Sequence, residues 1–134
     1  MKKVWSILSV VCSLMACNHA NKEIQDHITK SDSLAINYFR GDGTMDTVVA
    51  IKIIRDKQII SQMGAFVGMQ SVKGNIKCGY DGSLHFFKMN QVIQDIDFQM
   101  NDANCMQFSF LLDGKIAYTG LSPEAKHLLE TLRK

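Results

Sequence analysis

Asp95 and Asp97 stand two residues apart in an alternating stretch, so an extended chain turns both carboxylates to one face. Two such groups can share a proton or a cation, and they can divide acid and base work when their surroundings differ. They equally suit the solvated face of an amphipathic strand. His85 alternates with Leu84 and Phe86, which points its imidazole toward solvent. His19, His27 and His127 share no metal-ligand spacing with it, and there is no Cys-x-x-Cys. No Gly-x-Ser-x-Gly elbow occurs, and no Gly-rich phosphate loop precedes a helix. Asp42-Gly43-Thr44-Met45-Asp46 carries some oxygens of a calcium loop but lacks the full run and the closing Glu. The sequence thus implies no metal and no cofactor. Asp95, Asp97 and His85 are the candidate ligand-binding residues, and no catalytic set is assembled around them.

The elements that must position these residues lie between Asn75 and Thr119. Asp81-Gly82 and Asp113-Gly114 are Asp-Gly pairs flanked by apolar alternation, the pattern of a two-residue hairpin turn with positive φ at both positions. Asn101 to Asn104 is a third turn cluster, and Met89-Asn90-Gln91 a weaker fourth. Five strands are expected between them: Asn75–Tyr80, Ser83–Lys88, Val92–Met100, Cys105–Leu112 and Lys115–Thr119. Ile96, Phe98 and Met100 alternate with Asp95, Asp97 and Gln99, as expected of a meander with one buried and one wet face. Upstream, Leu34, Ala35, Tyr38 and Phe39 fall at the spacing of a short helix behind Ser31-Asp32-Ser33, ended by Gly41 and Gly43. Thr47 to Ile54 is β-branched and apolar on both faces, which predicts a central or well-covered strand. Asp56 caps a helix through Ile59, Ile60, Met63 and Phe66; the alternative is a hairpin at Arg55-Asp56-Lys57 with a strand over Gln58–Met63. Ser122-Pro123-Glu124 opens a C-terminal helix with the stripe Ala125, Leu128, Leu129 and Leu132.

The start of the chain reads differently. Met1-Lys2-Lys3 is basic, and Val4 to Ala16 is mostly apolar and uncharged. Thirteen helical residues reach only about 20 Å, too short for the bilayer core. This is the layout of a signal peptide. Leu14-Met15-Ala16-Cys17 resembles the lipobox of bacterial lipoproteins, with an aliphatic residue three before the cysteine and a small one directly before it. The resemblance covers the first seventeen residues. It implies removal of residues 1–16, diacylglycerol on the Cys17 thiol, and an anchor of several acyl chains. It also implies a location at the bacterial cell envelope; Asn18, rather than an aspartate, favours the outer membrane facing the periplasm. Residues 17–30 are then an acylated N-terminus and flexible tether with room for some helical content, and residues 31–134 one globular domain. The full chain holds 15 Lys and Arg against 13 Asp and Glu. Processing removes Lys2 and Lys3 and no acid, so the two signs balance, and nothing in the charge argues for nucleic acid.

On the same reading Cys12 leaves with the signal peptide and Cys17 carries lipid. Cys78 and Cys105 remain, a pair in a compartment where disulfides persist. In a flat meander two strands would separate them, beyond bridging distance. A bridge therefore requires the sheet to curl or the first strand to leave it; otherwise they are two buried thiols. A disulfide is the favoured expectation.

The region from Ser31 onward is similar in layout to small bacterial lipoproteins of uncharacterised function, and that similarity implies no named activity. The expected fold is α+β: an antiparallel β-meander of four to six strands with a short N-terminal helix and a C-terminal helix packed on one face. The expected role is a non-catalytic binding or structural module for an envelope protein or a small ligand. The alternatives are a small hydrolase or metal-dependent enzyme using Asp95, Asp97 or Asp42 with His85, or an inhibitor or immunity protein for an envelope enzyme.

Overall fold

The computed structural model describes residues 19–41, 45 and 47–134. Residues 1–18, including the lipobox and Cys17, lie outside the described residues, as does the Asp42–Asp46 stretch apart from Met45. The described chain forms α1 (His19–Thr29), β1 (Ser33–Phe39), β2 (Val48–Ile54), α2 (Lys57–Val67), β3 (Gly82–Lys88), β4 (Gln91–Gln99), β5 (Gln107–Leu112), β6 (Lys115–Gly120) and α3 (Pro123–Arg133). The strands make one antiparallel sheet in the order β2-β1-β3-β4-β5-β6. The fold is α+β.

One face of the sheet is the core. Its central row runs Ala50, Tyr38, Gly82, Phe98, Phe108, Thr119 across the strands, and the next runs Ile36, Leu84, Ile96, Phe110, Ala117. The three helices close over it with Ile24 and Ile28 from α1, Ile60, Met63 and Val67 from α2, and Ala125 and Leu129 from α3. Each large apolar side chain removed from water in this way stabilises by roughly 1.5–3 kcal/mol. Tyr38 meets Phe98 edge-on at 6.1 Å. Its hydroxyl donates to the Leu129 carbonyl at 2.6 Å, and the Arg133 guanidinium lies 5.4 Å from its ring. Burial pushes that hydroxyl up to about 12, with Arg133 pulling the other way.

Local chemistry sets the element ends. The Asp56 carboxylate accepts from Gln58 N at 2.8 Å and starts α2 as a helix, which resolves the choice left open over 58–63. The Ser122 hydroxyl accepts from Ala125 N at 3.1 Å, with Pro123 in the first turn of α3. Asp113 and Gly114 both hold positive φ at the β5–β6 turn. Met89 and Asn90 do the same between β3 and β4, so this weaker turn signal marks a full two-residue hairpin.

Four expectations are corrected. Residues 34–39 are a strand, not a helix. In β1 Leu34, Ile36 and Tyr38 all point into the core, whereas a helix would leave Ile36 off the apolar stripe. The N-terminal helix instead lies in the stretch read as a tether: α1 buries Ile24 and Ile28 completely, because two isoleucines four apart form one helical face. β2 is an edge strand, paired only with β1 among the described strands, and Ile51 and Ile53 are 61% and 54% exposed. Finally, Asn75–Tyr80 is not a strand, and Asp81-Gly82 is not a hairpin turn. The Asp81 carboxylate accepts from Met100 N and Asn101 N at 2.8 and 2.9 Å, and Gly82 opens β3.

The segment 71–80 crosses to the far face of the sheet. It first runs beside β6, where Val72 N donates to Tyr118 O and Gly120 N donates to Gln70 O. It then folds over the ends of β4 and β5. The Gln107 side chain both donates to Asn75 O and accepts from Asn75 N, and Gln99 Nε2 donates to Gly79 O. Cys78 and Cys105 form a disulfide there, with Cα atoms 5.9 Å apart. The would-be first strand has left the sheet, which is one of the two conditions under which the pair can meet.

Candidate functional site

The face opposite the helices is open over much of its width. One row across it runs Ile51, Asn37, Ser83, Asp97, Ser109, Tyr118, and the next runs Ile53, Ala35, His85, Asp95. Apolar side chains thus stand at both flanks, and polar ones collect in the middle.

His85 is the centre of that polar group. Its Nδ1 lies 2.5 Å from Asp95 Oδ1, while Nε2 lies 3.0 Å from Ser83 Oγ and 3.2 Å from Asn37 Nδ2. A carboxylate can only accept, so it holds the imidazole proton on Nδ1. Nε2 is left as an acceptor for the hydroxyl and the amide. Four side chains from β1, β3 and β4 are locked into one orientation.

A bulge makes this arrangement possible. Lys88 pairs with Gln91 and Phe87 with Val92 beside the turn. Continued without interruption, that register would set His85 opposite Gln94. Instead the register slips between Phe86 and Phe87, one extra residue enters β4, and His85 pairs with Asp95. The slip also turns Ile96 and Phe98 inward and Asp95 and Asp97 outward. The sequence reading found His85, Asp95 and Asp97, and all three reach this face. It missed Ser83 and Asn37. The Ser-x-His spacing on β3 is a local signal for Ser83, but Asn37 was hidden by the helical reading of β1.

A cleft of about 490 Å³ adjoins the polar group. It is lined on its polar side by Asp95, Asp97 and Ser109, and on its apolar side by Ile76, Leu111 and Ile116. Tyr80 forms one wall, with its hydroxyl 3.1 Å from Ser109 Oγ. Segment 71–80 therefore both covers one end of the sheet and shapes the cleft. Among the described residues no group of three or more His, Cys, Asp or Glu side chains is placed to hold a metal ion.

Asp97 is half-buried on this face, and its carboxyl is raised above the ordinary value of 3.8. Burial is the largest cause; His85 pulls the value down and Asp95 pushes it up. The folded state therefore holds this proton more tightly than the unfolded chain does. Its contribution to stability is full at low pH and falls as pH rises from the ordinary carboxylate range through the raised folded value. Asp97→Asn removes that fall. The variant is expected to be the more stable protein at pH 7, with the difference closing by about pH 3. Urea unfolding at the two pH values measures this. A variant less stable at pH 7 would mean that attraction to His85 outweighs the burial.

Described helices include none long and apolar enough to cross a membrane. No family model, curated protein or solved structure matches the chain.

Proposed function

We propose that this protein is a lipid-anchored lipoprotein of the bacterial envelope whose domain is a non-catalytic binding module, and that it takes its partner on the open face of the sheet. The observation that carries the reading is the composition of that face. A hydrogen-bonded polar centre of Asn37, Ser83, His85 and Asp95 lies between exposed aliphatic flanks, Ile51 and Ile53 on one side and Leu111 and Ile116 on the other. Exposed apolar area beside oriented polar groups is the composition of a recognition surface. The anchor rests on the Lys2-Lys3, Val4–Ala16 and Leu14–Cys17 pattern.

Two measurements test this. Intact mass and membrane fractionation of wild type and Cys17→Ser, expressed in a host with lipoprotein processing, test the anchor. Wild type should start at Cys17, carry acyl mass and sediment with membrane; an unacylated, freely soluble wild type would overturn it. Envelope proteins retained by wild type, Leu111→Arg and Glu124→Arg test the face. A partner held stoichiometrically by wild type should be lost by about tenfold in Leu111→Arg, a loss of roughly 1.4 kcal/mol, and kept by Glu124→Arg on α3. Equal retention by all three would overturn the face as the binding surface.

A second reading has one observation in its favour. Ser83 Oγ, His85 and Asp95 are chained in the order of a hydrolytic triad. Against it, β3 is paired on both sides, so its backbone N–H groups are committed to the ladders, and no free pair of donors flanks Ser83 for an oxyanion. Ser83 is also buried. Hydrolysis of a p-nitrophenyl ester that disappears in Ser83→Ala would favour this reading over the first.

A further inference from the structure

We propose that the end of the molecule formed by the start of α1 and the segment 69–77 sits against an anionic lipid surface. This rests on the reading of Cys17 as the acylated residue and gives that anchor an orientation. Cys17 precedes the first residue of α1 by two positions, a reach of at most about 7 Å. α1 itself has no slack. It runs antiparallel to α2, with Ile28 against Gly64, Gln25 against Gly68, and Ser71 Oγ donating to Asn21 Oδ1 at 2.6 Å. Lipid on Cys17 therefore brings the bilayer to the start of α1 and to whatever lies beside it.

What lies beside it has the chemistry of an interfacial surface. Met69 is 58% exposed, Val72 38% and Ile76 70%. They are interleaved with the exposed Lys73 and Lys77, and Lys22 projects from the first turns of α1. Asp102, in the turn after β4, has its carboxylate engaged by Asn104 N at 3.0 Å. Apolar side chains alternating with lysines suit the boundary between acyl chains and anionic headgroups, with the lysine stems lying along the apolar region. The hydrogen bonds of Asn75 to Gln107 and the Cys78–Cys105 disulfide hold the segment in place, so the surface is preformed.

Tryptophan placement tests the orientation. Trp5 is the only tryptophan in the chain and leaves with the signal peptide. A single new one therefore reports alone. Val72→Trp and Val49→Trp are made in the full chain, expressed with lipoprotein processing, and reconstituted into vesicles of phosphatidylglycerol and brominated phosphatidylethanolamine. Val49 is exposed on β2, at the sheet edge opposite β6 and segment 69–77. Intact mass on the same samples records acylation. With acyl mass present, Val72→Trp emission should be quenched about twofold and Val49→Trp emission unchanged, as for a side chain in the headgroup boundary. Acylated protein with no quenching of Val72→Trp, or with quenching at Val49→Trp, would overturn the orientation and leave the anchor standing. Absence of acyl mass would overturn the anchor and the orientation together.

Discussion

Replacing Cys78 and Cys105 together by alanine is expected to destabilise the domain by about 3.5 kcal/mol, because the bridge closes a loop of 27 residues that the unfolded chain otherwise explores freely. The loop it closes contains β3 and β4, which carry His85, Asp95 and Asp97. The site and the bridge are thus linked through the unfolded state as well as the folded one. Urea unfolding of the oxidised and substituted proteins gives the difference directly. The bridge is not the only fastening of segment 71–80, since Gln99 and Gln107 also grip its backbone. A loss below about 1 kcal/mol would mean that the unbridged chain keeps the loop closed by other contacts.

Gly82→Ala is expected to cost about 3 kcal/mol, at the upper end of what one added methyl does in a packed interior. Gly82 occupies the central core row between Tyr38 and Phe98, where the two rings meet. A Cβ there would run into the Asn37 carbonyl oxygen and the Phe98 ring. The ring could rotate away at some cost. The carbonyl belongs to the backbone of β1, so relief there requires β1 and β3 to part. Asn37 also donates to His85, and the same substitution should disturb the polar group on the other face. Chemical unfolding measures the first effect, and the His85 imidazole resonances measure the second. A cost below about 1 kcal/mol would show that the strand spacing adapts.

The parts of this fold legible in the sequence are those whose signal is local. Asp113-Gly114 specifies its own turn, Ser122-Pro123 its own cap, and the Met106-to-Leu112 alternation its own inward face. Asp56 is decisive for α2 through one side chain. The readings that failed depend on neighbours far along the chain. Leu34 to Phe39 fits either period over six residues, and only β2 and β3 on its two sides make it a strand. Asp81-Gly82 has the composition of a hairpin turn, but Asp81 is taken by the backbone of residues 100 and 101. Ile24 and Ile28 are too few to announce a buried helix until Gly64 is seen to leave room for Ile28. At the site, His85 and the two acids follow from alternation once a strand is assumed. Their meeting does not, because it needs an inserted residue in β4 that no simple count of positions across the hairpin anticipates.

The two edges of the sheet are not equivalent. β6 has residues 70–72 of its own chain hydrogen-bonded along it, while β2 has β1 on one side and no described strand on the other. In the language of assembly the sheet has one full valence and one partly capped. A strand from another chain can be accepted along β2, beside Ile51 and Ile53, while at the opposite edge the Tyr118–Gly120 end of β6 is already taken. Two copies joined through β2 would present only these partly capped edges outward. Edge-to-edge growth into a fibre needs two open sides on every unit, and the segment that shapes the cleft shortens one of them.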